Sequence, residues 1–250
     1  MVNKAELSIK NLAKTYHAIG YSNTIINGLD LEIEDGDFCS IMGPSGSGKT
    51  TLLNLIAGID AADKGEVNIA GNDITKLTNK KMSAFRRKYI GIVFQNFNLI
   101  DGLTVKENIV LPLDLKNMSE QEIEEKVYEV THKVGIENLL NKQVYEISGG
   151  EQQRTAICRA IINEPLLLLA DEPTGNLDQK SAKDVMKCLE ELNKKNGMTI
   201  IMVTHDPLAA SFGKTVLLFR DGDIIERLEK EQFGMNFYHE IVLNMQKRMI

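Results

Sequence analysis

Residues Gly43–Thr51 read GPSGSGKTT and fit the pattern G-x-x-x-x-G-K-[ST], the spacing of a loop that wraps phosphate. Phe38–Met42 before it is a short apolar strand, and Thr51–Ala57 after it reads as a helix that stops at Gly58. Strand, glycine loop and helix start stand in the order the chemistry requires. Gly43, Gly46 and Gly48 let the backbone turn its N–H groups inward, with Pro44, Ser45 and Ser47 between them. The helix N-terminus at Thr51 adds partial positive charge. Lys49 is placed to reach the β- and γ-phosphates, and the Thr50 hydroxyl to ligate Mg²⁺.

Working outward, Leu7-Ser8-Ile9 and Leu29–Ile33 read as strands, with a turn at Glu34–Asp37. Tyr16 falls in the first loop, either a half-buried aromatic or a ring that stacks on adenine. Beyond the loop helix, Gly65–Ile69 predicts a strand with a turn at Gly71-Asn72-Asp73. Ser83–Lys88 predicts a short basic helix with a solvated face. Ile90–Phe94 predicts a buried strand running into Gln95. Thr104, Ser119 and Ser148 each precede a glutamate by three residues, so each opens a capped helix. The second ends near Gly135 and the third near Asn163. Leu166–Ala170 is an apolar strand ending in Asp171-Glu172, and Thr199–Val203 is another, ending at Thr204-His205-Asp206. Between them Lys180–Lys195 predicts an amphipathic helix. Val216–Phe219 and Ile224-Ile225 suggest a hairpin. Phe233, Phe237, Ile241, Met245 and Met249 recur every four residues as one apolar helical stripe.

Composition sets the outer bounds. The chain has 250 residues, 43% apolar and 26% charged, with a formal net charge of −6. This length holds one large α/β domain or two small lobes. The acidic balance argues against a general nucleic-acid binder, and no nucleic-acid partner is expected. Cys39, Cys158 and Cys188 lie far apart without metal-type spacing, as reduced thiols in a cytosolic protein do. The opening MVNKAELSIK has no signal-peptide core, and no apolar run approaches the ~18 residues of a membrane span. The chain is therefore expected not to cross a membrane by itself.

Two further constellations narrow the chemistry. Asp171 ends a core strand, where a phosphate-loop enzyme holds Mg²⁺. Glu172 follows, placed to orient or deprotonate a water that attacks the γ-phosphate. Residues Ile147–Arg154, ISGGEQQR, put two glycines at a capped helix start, a second anion-binding element. One chain already has a phosphate site at Gly43, so the second suggests contact with a neighbouring subunit's nucleotide.

At this point residues 5–228 resemble the nucleotide-binding subunit of an ATP-binding cassette (ABC) transporter. GPSGSGKT is similar to that family's Walker A loop and LLLLADE to its Walker B strand. Gln95 resembles the Q-loop glutamine, which contacts metal and attacking water and links to the membrane partner. Ser148-Gly149-Gly150-Glu151-Gln152 resembles the signature, which clamps the γ-phosphate held by the opposite subunit. Asn176-Leu177-Asp178 resembles the D-loop crossing the dimer interface, His205 the switch histidine on the γ-phosphate, and Tyr16 the adenine-stacking aromatic. Ile147 stands where leucine is commoner, a volume-conserving change.

The resemblance implies an α/β fold: a P-loop NTPase (RecA-like) core, an N-terminal antiparallel β subdomain and an inserted helical subdomain. Residues 1–228 would form the nucleotide-binding domain, with 1–95 and 164–228 as the catalytic lobe and 96–163 as the helical subdomain. Residues 229–250 would form an amphipathic helical tail. The implied function is ATP hydrolysis in an ATP-bound homodimer that drives a separate integral-membrane permease. The chain would then sit on the cytoplasmic face of the cell membrane through that permease. FQNFNLIDGLTVKENIVLPL, DEPTGNLDQKSA and TIIMVTHDPLAASFGKTVLLFRDGDI resemble the branch of macrolide exporters and lipoprotein-releasing ATPases, and within it the bacitracin-type peptide-resistance transporters. Signalling, lipoprotein release or cell division are the alternatives to export. A DNA-repair member would need a long coiled coil before the signature, and a kinase would leave SGGEQ and His205 without a role.

Overall fold

The computed structural model describes residues 7–18, 20–113, 118–233 and 236–248. In chain order come β1 (Leu7–Ala18), β2 (Tyr21–Ile33), β3 (Phe38–Met42), α1 (Lys49–Ile56), β4 (Lys64–Ile69) and β5 (Asn72–Asp73). Next are α2 (Asn79–Tyr89), β6 (Ile90–Val93), α3 (Val105–Val110), α4 (Glu120–Val134) and α5 (Gly149–Ile161). The chain closes with β7 (Leu167–Asp171), α6 (Gln179–Asn196), β8 (Thr199–Thr204), α7 (Pro207–Ala210), β9 (Thr215–Arg220), β10 (Asp223–Glu229), α8 (Lys230–Phe233) and α9 (Phe237–Arg248).

One sheet runs in the order β10-β9-β3-β8-β7-β6, with β9, β3, β8, β7 and β6 parallel and β10 antiparallel at the edge. The second sheet is antiparallel, in the order β2-β1-β4-β5. This is the mixed α/β architecture expected of a P-loop core with an N-terminal antiparallel sheet. The apolar runs of β7 and β8 lack polar alternation because both faces are covered. Leu167, Leu169, Ile201 and Val203 pack with α1 and the antiparallel sheet. Leu168, Ala170, Ile200 and Met202 face the opposite way, into a core shared with α3, α4, α5 and α6. The three capping boxes at Thr104, Ser119 and Ser148 are all formed.

The first two strands are longer than the sequence suggested, and Tyr16 lies on β1, paired with Asn23, rather than in a loop. The far end of this hairpin is exposed and polar, so it carries no apolar alternation to betray a strand. The basic helix is also more than a solvated face. Met82 and Phe85 are buried, and Arg86 donates to the carbonyls of Ala57 (3.4 Å) and Gly58 (2.8 Å) at the end of α1. Such a cation satisfies carbonyls that a helix terminus leaves free.

The apolar stripe of the tail finds a home. Phe237 and Ile241 are buried beside Met42, Ala210, Val216, Leu218 and Leu228, and Met245 packs against them. Met249 and the side chain of Phe233 lie outside the described residues. Truncating Ile241 to alanine leaves a cavity under α9 and should cost about 2–4 kcal/mol, read as a lower urea midpoint in equilibrium unfolding. An unchanged midpoint would mean that the tail does not pack there in solution.

Candidate functional site

The carboxyl ends of β3, β7 and β8 emerge side by side at one edge of the parallel sheet. The loop at Gly43 follows β3, Asp171 ends β7, and His205 follows β8. The loop itself is tightly held. A Cβ at Gly43 would lie 2.0 Å from the Phe219 carbonyl oxygen, so no other residue fits there without moving β9. Gly48, at φ 101°, takes the left-handed turn that hands the chain into α1. Gly43 and Ser47 spend their N–H groups on the Thr204 and Pro44 carbonyls, and the rest of the turn brings its backbone N–H groups to the head of α1.

Lys49 is buried, and its Nζ donates to the carbonyls of Gly43 (2.9 Å) and Pro44 (2.8 Å). Burial pulls its pKa down, against the pull of the Glu172 and Asp171 carboxylates. The Thr50 hydroxyl donates to Asp171 Oδ1 at 3.2 Å. Burial pushes the Asp171 carboxyl up, Thr50 opposes this, and the neighbouring Glu172 adds to it. Ser47 carries a buried Oγ without a hydrogen-bond partner among the described residues. An orphaned hydroxyl inside a glycine cradle fits a loop built to close on an oxygen-rich ligand. Thr50 and Asp171 together are a hard-oxygen pair that suits Mg²⁺.

Glu172 does not continue the strand. Its φ is +44°, a left-handed conformation rarely taken by a residue with a side chain, and its N–H donates to the Val203 carbonyl at 2.9 Å. Pro173 after it disfavours the right-handed helical alternative. The turn sets Glu172 Oε2 3.0 Å from Nδ1 of His205. Backbone strain held by surrounding structure is the kind found at functional positions. A cavity of about 380 Å³ opens over Ser45, Gly46, Gly48, Lys49, Thr50, Thr51 and Glu172, with Ile25 as a wall.

The other sequence-predicted residues fall in four places. Tyr16 stands at the first turn of α1, its hydroxyl beside the Thr51 side chain. Gln95 does not line the loop cavity; its Nε2 donates to Asn176 Oδ1 at 3.3 Å. Ser148, Gly149, Gly150 and Glu151 open α5, also outside that cavity, and Ser148 N–H and Oγ both donate to Glu151. Gln152 turns back to the carbonyls of Val144 and Ile147, both 3.2 Å, and props its own chain. Asp178 caps α6 through the N–H groups of Lys180 and Ser181. Asn176 is the residue whose part was missed: besides accepting from Gln95, it donates to the Gln95 carbonyl and to Asn96 Oδ1. Only the fold brings positions so far apart in the chain together.

Comparison with known proteins settles the family. Residues 26–175 match the family model described as ABC transporter. The chain belongs to the ABC transporter family. The cassette is 47% identical over 236 residues to the ABC transporter ATP-binding protein YxdL of Bacillus subtilis, covering 94% of this chain and 91% of that one. It is 44% identical over 239 residues to the bacitracin export ATP-binding protein BceA of Halalkalibacterium halodurans, covering 95% and 94%. Among solved structures, the dimeric post-hydrolysis state of the ATP-binding cassette MJ0796, bound to ADP and Pi, superposes with a TM-score of 0.81 at 39% identity. That alignment covers 89% of this chain and 98% of the other. This ABC protein is a transporter ATP-binding subunit and an ATP hydrolase.

Asp171→Asn separates stability from activity. A carboxyl whose folded pKa lies above its unfolded value is protonated more readily when folded, so its ionisation costs stability as pH rises. Asparagine keeps the acceptor for Thr50 and removes that cost. The variant should unfold at an equal or higher urea midpoint at pH 7, with the difference closing as pH falls below the raised pKa. Its Mg²⁺-dependent ATP hydrolysis should be lost.

Proposed function

We propose that this subunit hydrolyses ATP at two composite sites in a head-to-tail homodimer and drives a separate membrane permease for antimicrobial peptides. The observation that carries the dimer is the placement of the signature. Lys49, Thr50, Asp171, Glu172 and His205 gather at one sheet edge, while Ser148–Gly150 stand outside the cavity that Lys49, Thr50 and Glu172 line there. A helix start with glycines and free N–H groups then serves the nucleotide of a second copy.

In this site the loop N–H groups and Lys49 hold the phosphates, with Ser45, Gly46 and Ser47 closing the cradle. Thr50 and Asp171 would hold Mg²⁺, which when bound neutralises charge on the β- and γ-phosphate oxygens. Glu172 accepts a proton from the attacking water, and His205 fixes the Glu172 carboxylate at 3.0 Å while facing the γ-phosphate. Tyr16 stacks on the base. Gln95, tied to Asn176 beside Asp178, passes closure between the dimer interface and the permease seat. That seat is the cleft of about 530 Å³ next to Gln95, lined by Arg86, Arg87, Phe94, Asn98, Pro112 and Arg159. Its arginines suit an acidic segment on the permease. The peptide substrate rests on the likeness to BceA, whose description is bacitracin export. Among the described residues no helix is long and apolar enough to cross a membrane, which suits a subunit docked on the cytoplasmic face.

Two measurements test this. Glu172→Gln keeps the binding groups and loses the base, so it should form a stable dimer with ATP on size exclusion while hydrolysing at least about a hundredfold more slowly. A variant that stays monomeric at high protein concentration would remove the sandwich. Ser148→Arg and Lys49→Ala should each be nearly inactive alone, and mixing them should restore activity through heterodimers with one intact site. Where mixing restores nothing, a cross-link between cysteines introduced at positions 45 and 149 decides: it should join two chains and be favoured by ATP.

A further inference from the structure

The ring that would stack on adenine is held by a charged pair outside every motif of the family resemblance. Tyr16 hydroxyl donates to Asp60 Oδ2 at 2.6 Å. The other oxygen of the same carboxylate accepts from Lys14 Nζ at 2.8 Å and from the Ala61 N–H at 2.8 Å. Lys14 also donates to the Ala61 carbonyl at 2.8 Å, and its Nζ stands 4.9 Å from the centre of the Tyr16 ring. Lys14 is buried although charged, whereas Tyr16 remains 43% exposed. A buried ammonium costs free energy unless it is paired, and here Asp60 and a carbonyl satisfy it.

We infer that Lys14 and Asp60 are positioning residues for nucleotide binding, locking the Tyr16 ring at the angle at which it receives the base. The inference rests on Tyr16 being the base-stacking residue. Lys14 and Tyr16 are two apart on β1 and so share one side of the strand. With the ammonium near the ring and the hydroxyl tethered, the ring loses its rotational freedom before a nucleotide arrives. Asp60 follows α1 by a short turn, and Asp63 accepts from the Thr15 N–H at 2.6 Å, so this turn is stapled to β1. The helix whose first turn meets the phosphates thereby also sets the position of the ring. Phosphate and base contacts are held in one rigid unit, which lowers the ordering cost of binding. The hydrogen bonds from Lys14 and Tyr16 also outweigh burial and hold the Asp60 carboxyl below its usual range. It stays ionised at neutral pH.

The test compares ATP with inorganic tripolyphosphate, which has the phosphates and no base. In the full chain, Asp60→Asn and Tyr16→Phe should each weaken ATP binding by about three- to tenfold, the range for losing one typical hydrogen bond. Tripolyphosphate inhibition should change less than about twofold, and the loss should appear in KM more than in kcat. The double variant should be no worse than either single one, because both break the same contact. Tyr16→Ala is the control for the stacking itself. If it weakens ATP but Asp60→Asn and Tyr16→Phe do not, the positioning role is wrong and stacking stands. If Asp60→Asn weakens ATP and tripolyphosphate equally, Asp60 merely supports α1 and the inference is overturned. If Tyr16→Ala leaves ATP binding unchanged, the stacking role itself falls, and the inference with it.

Discussion

Parallel alignment of β3, β8 and β7 is the constraint on which the rest depends. Neighbouring parallel strands end at the same edge, so a loop after β3, a carboxylate ending β7 and a histidine after β8 are brought within reach of one another. Parallel pairing requires crossover connections, and these supply the helices that cover both faces. The same geometry explains why β7 and β8 read as unbroken apolar runs. Every residue in the strand body is covered, and only the residue that leaves the sheet is free to be polar.

The site sets a buried Lys49 beside the partly buried carboxylates of Asp171 and Glu172, and these charges hold one another in check. Lys49 is pulled down in pKa by burial while two carboxylates resist. Asp171 is pushed up by burial and by Glu172, with the Thr50 hydroxyl resisting. Neither group is placed where it is most comfortable. In the proposed role of this site, the phosphates of ATP would give Lys49 an anionic partner beyond the two carbonyls it holds here. Glu172 adds a left-handed backbone to the same account, held by its N–H bond to Val203.

The third core, under α9, ties the chain's end to the sheet that carries the loop. Met42 belongs to this cluster and immediately precedes Gly43. The Arg220 guanidinium donates to the Arg248 carbonyl at 2.9 Å, and Arg248 pairs with Glu226 at 2.6 Å, so α9 is fastened to the β9–β10 hairpin. The tail is thus an integral part of the layer next to the loop.

Local signals in the sequence determined a good deal. The glycine spacing, the capping boxes, the apolar strands and the carboxylates after Ala170 were all legible, because each depends on residues within a few positions of one another. The tail's stripe was legible for the same reason. The extent of β1 and β2 was not, since an exposed hairpin end has no core to impose alternation, and Tyr16 was misplaced with it. Tertiary structure alone decided that Gln95 bonds to Asn176, that Glu172 turns left-handed to meet His205, and that Lys14 and Asp60 bracket Tyr16. Apart from Lys14 and Tyr16, which are neighbours on β1, these partners are separated by tens of residues, and their geometry arises from how strands and helices stack. Sequence spacing carries information about neighbours along the chain, whereas hydrogen bonds and buried charges answer to neighbours in space.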